Sequence, residues 1–195
     1  MASISSDRAA TTSLFDQRHI TPDATEELKL DGYRALAIKT GGKVYLRSRN
    51  DNNFNPRYPA VVQALEVLRD ETVIDGEVVA LDETGRPSFN TLQNYGSAKA
   101  PVFYYVFDVL VHDGRNVISE PLSARRELLR QRVLPKLREP IRHSPELDAG
   151  LPHLIDSVRA QGLEGLVAKR LDSRTNPVSA PAHGRRCGST RGRSS

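Results

Sequence analysis

The segment Glu27-Leu28-Lys29-Leu30-Asp31-Gly32-Tyr33-Arg34-Ala35-Leu36-Ala37-Ile38 sets Leu28 and Leu30, then Leu36 and Ile38, in alternation with other residues, the period of a strand. Gly41-Gly42 follows as a two-residue hairpin signal, and Lys43 to Arg49 supplies the returning strand. On a continuous strand, Lys29, Asp31 and Tyr33 point one way and Leu30 the other. An antiparallel hairpin is therefore expected where the folded part of the chain begins.

Downstream the period changes. Between Tyr58 and Leu68, the residues Val61, Val62, Leu65 and Leu68 share one helical face, with Pro59 in the first turn. Val73 to Leu81 reads as a strand containing Asp75-Gly76-Glu77, closed by a turn at Glu83-Thr84-Gly85, and a short helix is expected from Phe89 to Asn94. Val102 to Val111, rich in Val, Tyr and Phe, is the most strand-like run, and Asp113-Gly114 ends it. Ser123 to Leu137 reads as an amphipathic, basic helix with Ser123 as N-cap. Leu154 to Gln161 suggests another short helix and Leu163 to Leu171 another strand. Hairpin strands with separate helices predict an α+β domain of antiparallel sheets flanked by helices.

The 195 residues suffice for one such domain. Residues 1–25 read as a disordered leader and 26–174 as the domain; in 175–195 Val178 is the only large aliphatic residue, so that tail is expected to be disordered. The charge of +4 suits a polyanionic partner without requiring one, and Arg185, Arg186, Arg191 and Arg193 supply much of it from the tail. The single cysteine, Cys187, excludes an internal disulfide framework and a multi-cysteine zinc site. No apolar run is long enough to span a bilayer, and Met1 to Thr12 lacks the apolar core of a signal peptide. A cytoplasmic chain with no membrane contact is expected.

Several segments could carry chemistry. Lys29 in Lys-Leu-Asp-Gly-Tyr-Arg becomes a nucleophile if desolvation or nearby cations leave its amine partly deprotonated, and a nearby glycine lets a phosphate or base approach the backbone; the same hexapeptide also suits a surface strand of mixed charge. Glu77, in Asp75-Gly76-Glu77, is either a buried carboxylate needing a partner or metal, or an exposed residue at a bulge. In Phe103 to Leu110 the aromatics suit a core, or one ring facing a purine. Glu164 and Lys169 could serve Mg²⁺ and a phosphate, or form a solvated edge. Arg49 ends the second hairpin strand, where it could reach a phosphate.

The order of these segments is more specific than any one of them. Lys-x-Asp-Gly-x-Arg, Ser48-Arg49-Asn50, Asp-Gly-Glu, Phe-Asp and Glu-Gly-x-x-x-Lys together resemble the motif set of the covalent nucleotidyltransferases: DNA ligases, RNA ligases and capping enzymes. Glu-Leu-Lys-Leu-Asp-Gly-Tyr-Arg, Val-Ile-Asp-Gly-Glu-Val-Val-Ala-Leu-Asp and Gly-Leu-Glu-Gly-Leu-Val-Ala-Lys-Arg are most similar to bacterial ATP-dependent DNA ligases, including the ligase module of end-joining ligases, over about residues 26 to 174. The resemblance implies an ATP-grasp-like adenylation domain acting in repair or recombination. It implies that Lys29 attacks the α-phosphate of ATP, that the AMP passes to the 5′-phosphate of nicked double-stranded DNA, and that the 3′-hydroxyl then seals the nick. By the same resemblance Glu27 sits beside adenine, Arg34 and Arg49 hold ribose and phosphates, Glu77 lies near ribose and metal, Phe107 lies under the base, Glu164 is linked to Mg²⁺, and Lys169 is near the α-phosphate. A monomer associated with the nucleoid is expected. An RNA ligase or capping-type enzyme, and a catalytically dead remnant, are the alternatives.

Two departures from the family pattern stand out. Relatives carry more chain before the motif lysine, and past Glu-Gly-x-x-x-Lys they continue with a Tyr-x-Pro-Gly-x-Arg-Ser/Thr-Gly-x-Trp-x-Lys segment and an OB-fold domain. Here the sequence reads Thr175-Asn176-Pro177-Val178-Ser179-Ala180-Pro181-Ala182-His183-Gly184-Arg185-Arg186-Cys187. Joining each codon's third base to the next codon's first two permits Tyr-Glu-Pro-Gly-Gln-Arg-Thr-Gly-Ala-Trp, one free position, then Lys-Met-Arg-Val-Asn. A frameshifted tail, no OB-fold and impaired nick sealing are therefore expected. Sequencing the coding DNA checks this: the codons of 175–195 spell Trp-x-Lys in the neighbouring frame, and a sequence that cannot do so sinks the frameshift.

Overall fold

A computed structural model describes residues 24–96, 100–144, 146–147 and 165–174. Most of the expected leader, the helix expected at Leu154–Gln161, Glu164 and the tail 175–195 lie outside the described residues. The strands are β1 (Ala24–Lys29), β2 (Tyr33–Thr40), β3 (Lys43–Ser48), β4 (Thr72–Ala80), β5 (Val102–His112), β6 (Arg115–Asn116), β7 (Ile141–His143), β8 (Glu146–Leu147) and β9 (Gly165–Arg170). The helices are α1 (Pro59–Ala64), α2 (Phe89–Gln93) and α3 (Leu122–Leu128), the last continuing as a π-helical stretch (Leu129–Val133) and a 3-10 turn (Leu134–Lys136).

The strands form two sheets. One has the order β8-β1-β9; the other runs β3-β2-β4-β5-β6, with β7 also beside β5. The pairings are antiparallel except β5 with β7, which is parallel. The architecture is the α+β arrangement of sheets with few helices that the alternation predicts, and no OB-fold barrel occurs among the described residues.

The opening segment differs from expectation in one respect. The chain does not run straight from Glu27 to Thr40: it breaks after Lys29, so β1 joins the small sheet and β2 the large one. Faces inferred by counting through Lys29, Asp31 and Tyr33 therefore do not hold. Two contacts fix the break. A side chain at Gly32 would collide with the Val78 carbonyl oxygen and come within 3.0 Å of Glu77 Cγ, so the chain crosses β4 at a distance only glycine permits. Asp31 Oδ2 accepts the Phe89 N–H at 3.0 Å, tying the crossing to the start of α2.

The main core lies on one face of the large sheet. Ala35, Ala37, Leu46, Ile74, Val78, Tyr104, Val106 and Val109 pack there against Val61 of α1 and Leu65 at its end, Leu92 of α2, and Leu129 and Val133. Leu36 and Ile38, the conspicuous apolar residues of β2, face the other way and join a smaller cluster with Val73, Leu110 and Ile118. Periodicity alone does not reveal this inversion, because both faces of the sheet carry apolar residues. Ser123 is not an N-cap: α3 is entered through Pro121 with no side-chain cap, and the Ser123 N–H donates to Leu171 O instead.

The facing strand explains the glycine of Asp-Gly-Glu: a Cβ on Gly76 would lie 2.5 Å from the Tyr105 carbonyl oxygen and 2.7 Å from the Tyr104 ring. The Tyr104 hydroxyl crosses the sheet to donate to Ala35 O at 2.8 Å. Gly76→Ala is expected to lower stability by about 1–3 kcal/mol through overpacking. Chemical denaturation checks this, and Tyr104→Ala should recover part of the added loss in the double variant.

Candidate active site

On the face opposite the main core, Arg34 of β2 pairs across the register with Glu77 of β4. Two rows along, Asp75 of β4 stands opposite Asp108 of β5. β4 runs through Asp75-Gly76-Glu77 without interruption; the irregularity lies in the facing strand, where the register slips between Asp75 and Gly76. Phe107 is the residue left over at that slip. A bulge of this kind re-aims a side chain, and Phe107 comes to lie with the Arg34 guanidinium 5.4 Å from its ring centroid.

Arg34 is held in place by a bidentate pair with Asp75, Nε to Oδ1 at 3.2 Å and Nη2 to Oδ2 at 2.6 Å. Asp75 is 2% exposed, while the Arg34 side chain is 38% exposed. Burial opposes the charge on Arg34, but Asp75, with Glu77 and Asp108 farther off, more than offsets it and raises the pKa above the ordinary value. Glu77 is the one half-buried position in an otherwise buried strand. Arg34, Glu77 and Phe107, three of the residues singled out from sequence, are thus brought together.

The others belong to different elements. Lys29 ends β1, partly buried. It precedes by three residues the Gly32 crossing that abuts Glu77, so its Cα lies at most about 11 Å along the chain from that of Gly32. In the small sheet Lys29 is opposite Gly165, Glu27 opposite Val167 and Thr25 opposite Lys169. Arg49 is exposed just past the end of β3, where Ser48 Oγ accepts the N–H groups of Asn50 and Asn52. Glu164 lies outside the described residues.

Three residues escaped sequence reasoning. Asp75 and Asp108 were legible only as acids in apolar strands, which cannot be buried without a partner. Arg125 looked like one more charge on a basic helix. It is 2% exposed and grips Asp108 through Nε to Oδ1 at 2.9 Å and Nη2 to Oδ2 at 2.8 Å.

A family model described as "ATP dependent DNA ligase domain" matches residues 9–179. The chain belongs to that family. Among relatives, "Multifunctional non-homologous end joining protein LigD" of Pseudomonas aeruginosa is 37% identical over 150 residues, 75% of this chain and 18% of that protein. A "Probable DNA ligase" of Streptomyces coelicolor is 36% identical over 164 residues, 77% of this chain and 32% of its own length. The solved structure "mycobacterial DNA ligase D complexed with ATP and MES" aligns with a TM-score of 0.68 and 35% identity over 80% of this chain and 50% of that one. The ligase domain therefore spans about a fifth to a third of the length of these curated relatives. No helix among its described residues is long and apolar enough to cross a membrane.

Whether the ligase domain suits a metal can be judged from its carboxylates. Asp75 and Asp108 are each committed to an arginine, and no cluster of three potential metal ligands occurs among the described residues. Mg²⁺ is ordinarily held by one or two carboxylates together with substrate phosphates, so the half-buried Glu77 fits such a role. Asp75→Asn should release Arg34 and lower the stability of the ligase domain by about 1–3 kcal/mol, less than for a fully buried pair because Arg34 is partly solvated. Thermal melts at neutral pH check this; an unchanged midpoint would show that the pair contributes nothing.

Proposed function

We propose that this ligase domain accepts AMP from ATP on Lys29 and passes it to the 5′-phosphate of nicked double-stranded DNA, as part of strand sealing in repair or recombination. The observation that carries this reading is the convergence of Arg34, Glu77 and Phe107 on one sheet face beside the Gly32 crossing, three residues after Lys29. Family membership supports it.

In the first step the Lys29 amine attacks the α-phosphorus. A P–N bond forms, the bond to the β-phosphate oxygen breaks, pyrophosphate leaves, and the amine gives up a proton. Transfer of this kind depends on positioning and on neutralising charge more than on acid–base chemistry. Phe107 supplies a ring for adenine. Arg34, fixed by Asp75, supplies a guanidinium at the ribose and phosphates, with Arg49 and Lys169 as further cations. Glu27 borders the base. Glu77 and Glu164 would hold Mg²⁺, which supplies charge neutralisation at the phosphates. AMP next moves to the DNA 5′-phosphate, and attack by the 3′-hydroxyl releases it as the strand closes. We assign these roles to a unit of residues 26–174, acting as a monomer.

Incubation with α-labelled ATP and Mg²⁺ tests the reading. Mass spectrometry should find one added AMP on Lys29, absent in Lys29→Ala. Phe107→Leu should weaken ATP use by about 3–10-fold, the range expected for losing one aromatic contact. GTP should not replace ATP, and nicked DNA rather than nicked RNA should discharge the adduct. A chain that takes up label on another residue, or none, overturns the proposal.

A further inference from the structure

Arg125 lies outside the motifs and has no part in the chemistry above, yet it is among the most buried side chains. Two of its nitrogens hold Asp108, the neighbour of Phe107 in the β5 bulge. Its third, Nη1, donates to Glu120 O at 2.6 Å and reaches Ser173 O at 3.4 Å. Ser173 lies three residues past the end of β9, and the same stretch is held again: Leu122 N–H donates to Ser173 O and Ser123 N–H to Leu171 O, both at 3.0 Å. With no side-chain cap at its start, α3 would otherwise leave these first-turn N–H groups without acceptors. The exit of β9 satisfies them.

We propose that Arg125, anchored on Asp108, is a positioning residue that sets β9, the strand bearing Lys169, against β5, the strand bearing Phe107. The two strands belong to different sheets with no shared ladder, so no backbone pairing fixes their separation. The guanidinium does so because its planar fork engages a carboxylate with one edge and backbone carbonyls with another. A lysine ammonium is a single point with no fork and cannot serve both at once. A buried ion pair is weak evidence for stability alone, since apolar packing often serves as well. The extra reach to Ser173, in the segment leaving β9, is what such packing could not replace. The catalytic half of this inference rests on the proposed adenylation of Lys29; the structural half does not.

Two measurements on the full chain separate the halves. Hydrogen exchange should show Arg125→Lys raising exchange at 165–173 by about tenfold or more, with β2 and β4 unchanged. In single-turnover formation of the Lys29 adduct, Arg125→Lys should lower the rate constant at saturating ATP about tenfold or more. The ATP concentration for half-maximal rate should stay within about twofold. Asp108→Asn should give the same signature, and the double variant should be no slower than either single one, as for residues acting as a unit. Unaltered exchange in β9, exchange raised evenly throughout the fold, or a rate loss matched by the unfolded fraction overturns the inference. If the wild-type chain forms no adduct, the proposed function fails while the exchange result still decides the role of Arg125.

Discussion

Two carboxylates stand opposite each other on neighbouring strands, Asp75 on β4 and Asp108 on β5, both nearly removed from solvent. Side chains directly across an antiparallel pair are close enough to interact, and like charges there repel. Each acid is matched by its own arginine, Arg34 from within the sheet and Arg125 from α3. The arrangement is therefore a row of two adjacent acids flanked by arginines, arginine, aspartate, aspartate, arginine, in which neither pair is independent of the other. Removing one arginine leaves a buried carboxylate facing its twin, a worse state than either acid alone.

That row decides what the sheet face can do. Arg34 is pinned where its guanidinium lies over Phe107 and faces Glu77 across the register. On the other flank, the arginine that neutralises Asp108 also reaches the carbonyl of Ser173 beyond β9. The proposed nucleotide site is thus bounded by one charge system that extends from β2 to the segment leaving β9. The elements carrying Lys29 and Lys169 belong to the small sheet, which shares no ladder with the large one among the described residues.

Much of the fold was legible because its signals are local. The Gly41-Gly42 turn, the 61/65/68 spacing of α1, and the Val-Tyr-Phe run of β5 each have a short-range cause, and each element appears within a residue or a few of where it is expected. What stayed hidden depends on partners distant in sequence. The break after Lys29 follows from the close approach of Gly32 to the Val78 carbonyl, and Gly76 is required by the Tyr105 carbonyl and the Tyr104 ring. Ala35 and Ala37 face the main core while Leu36 and Ile38 do not, an outcome fixed by which layer packs on which face. The ordered motifs picked out Arg34, Glu77 and Phe107, which the fold brings together. They were silent on Arg125, whose burial depends on meeting Asp108, seventeen residues away.

The slips in β5 have a consequence for how such a chain can vary. Opposite β4 the register advances by one residue between Asp75 and Gly76 and by one again between Val73 and Ile74. Each slip alone would invert every later residue of the strand, exchanging inside for outside. The slip at Phe107 lets Tyr104 and Val109, five positions apart, reach the same core, and the slip at Leu110 then restores the original alternation. A one-codon deletion between the slips would therefore transpose the polarity of half a strand, whereas the loss of both extra residues would preserve it. Length changes in this strand should be tolerated in pairs, if at all.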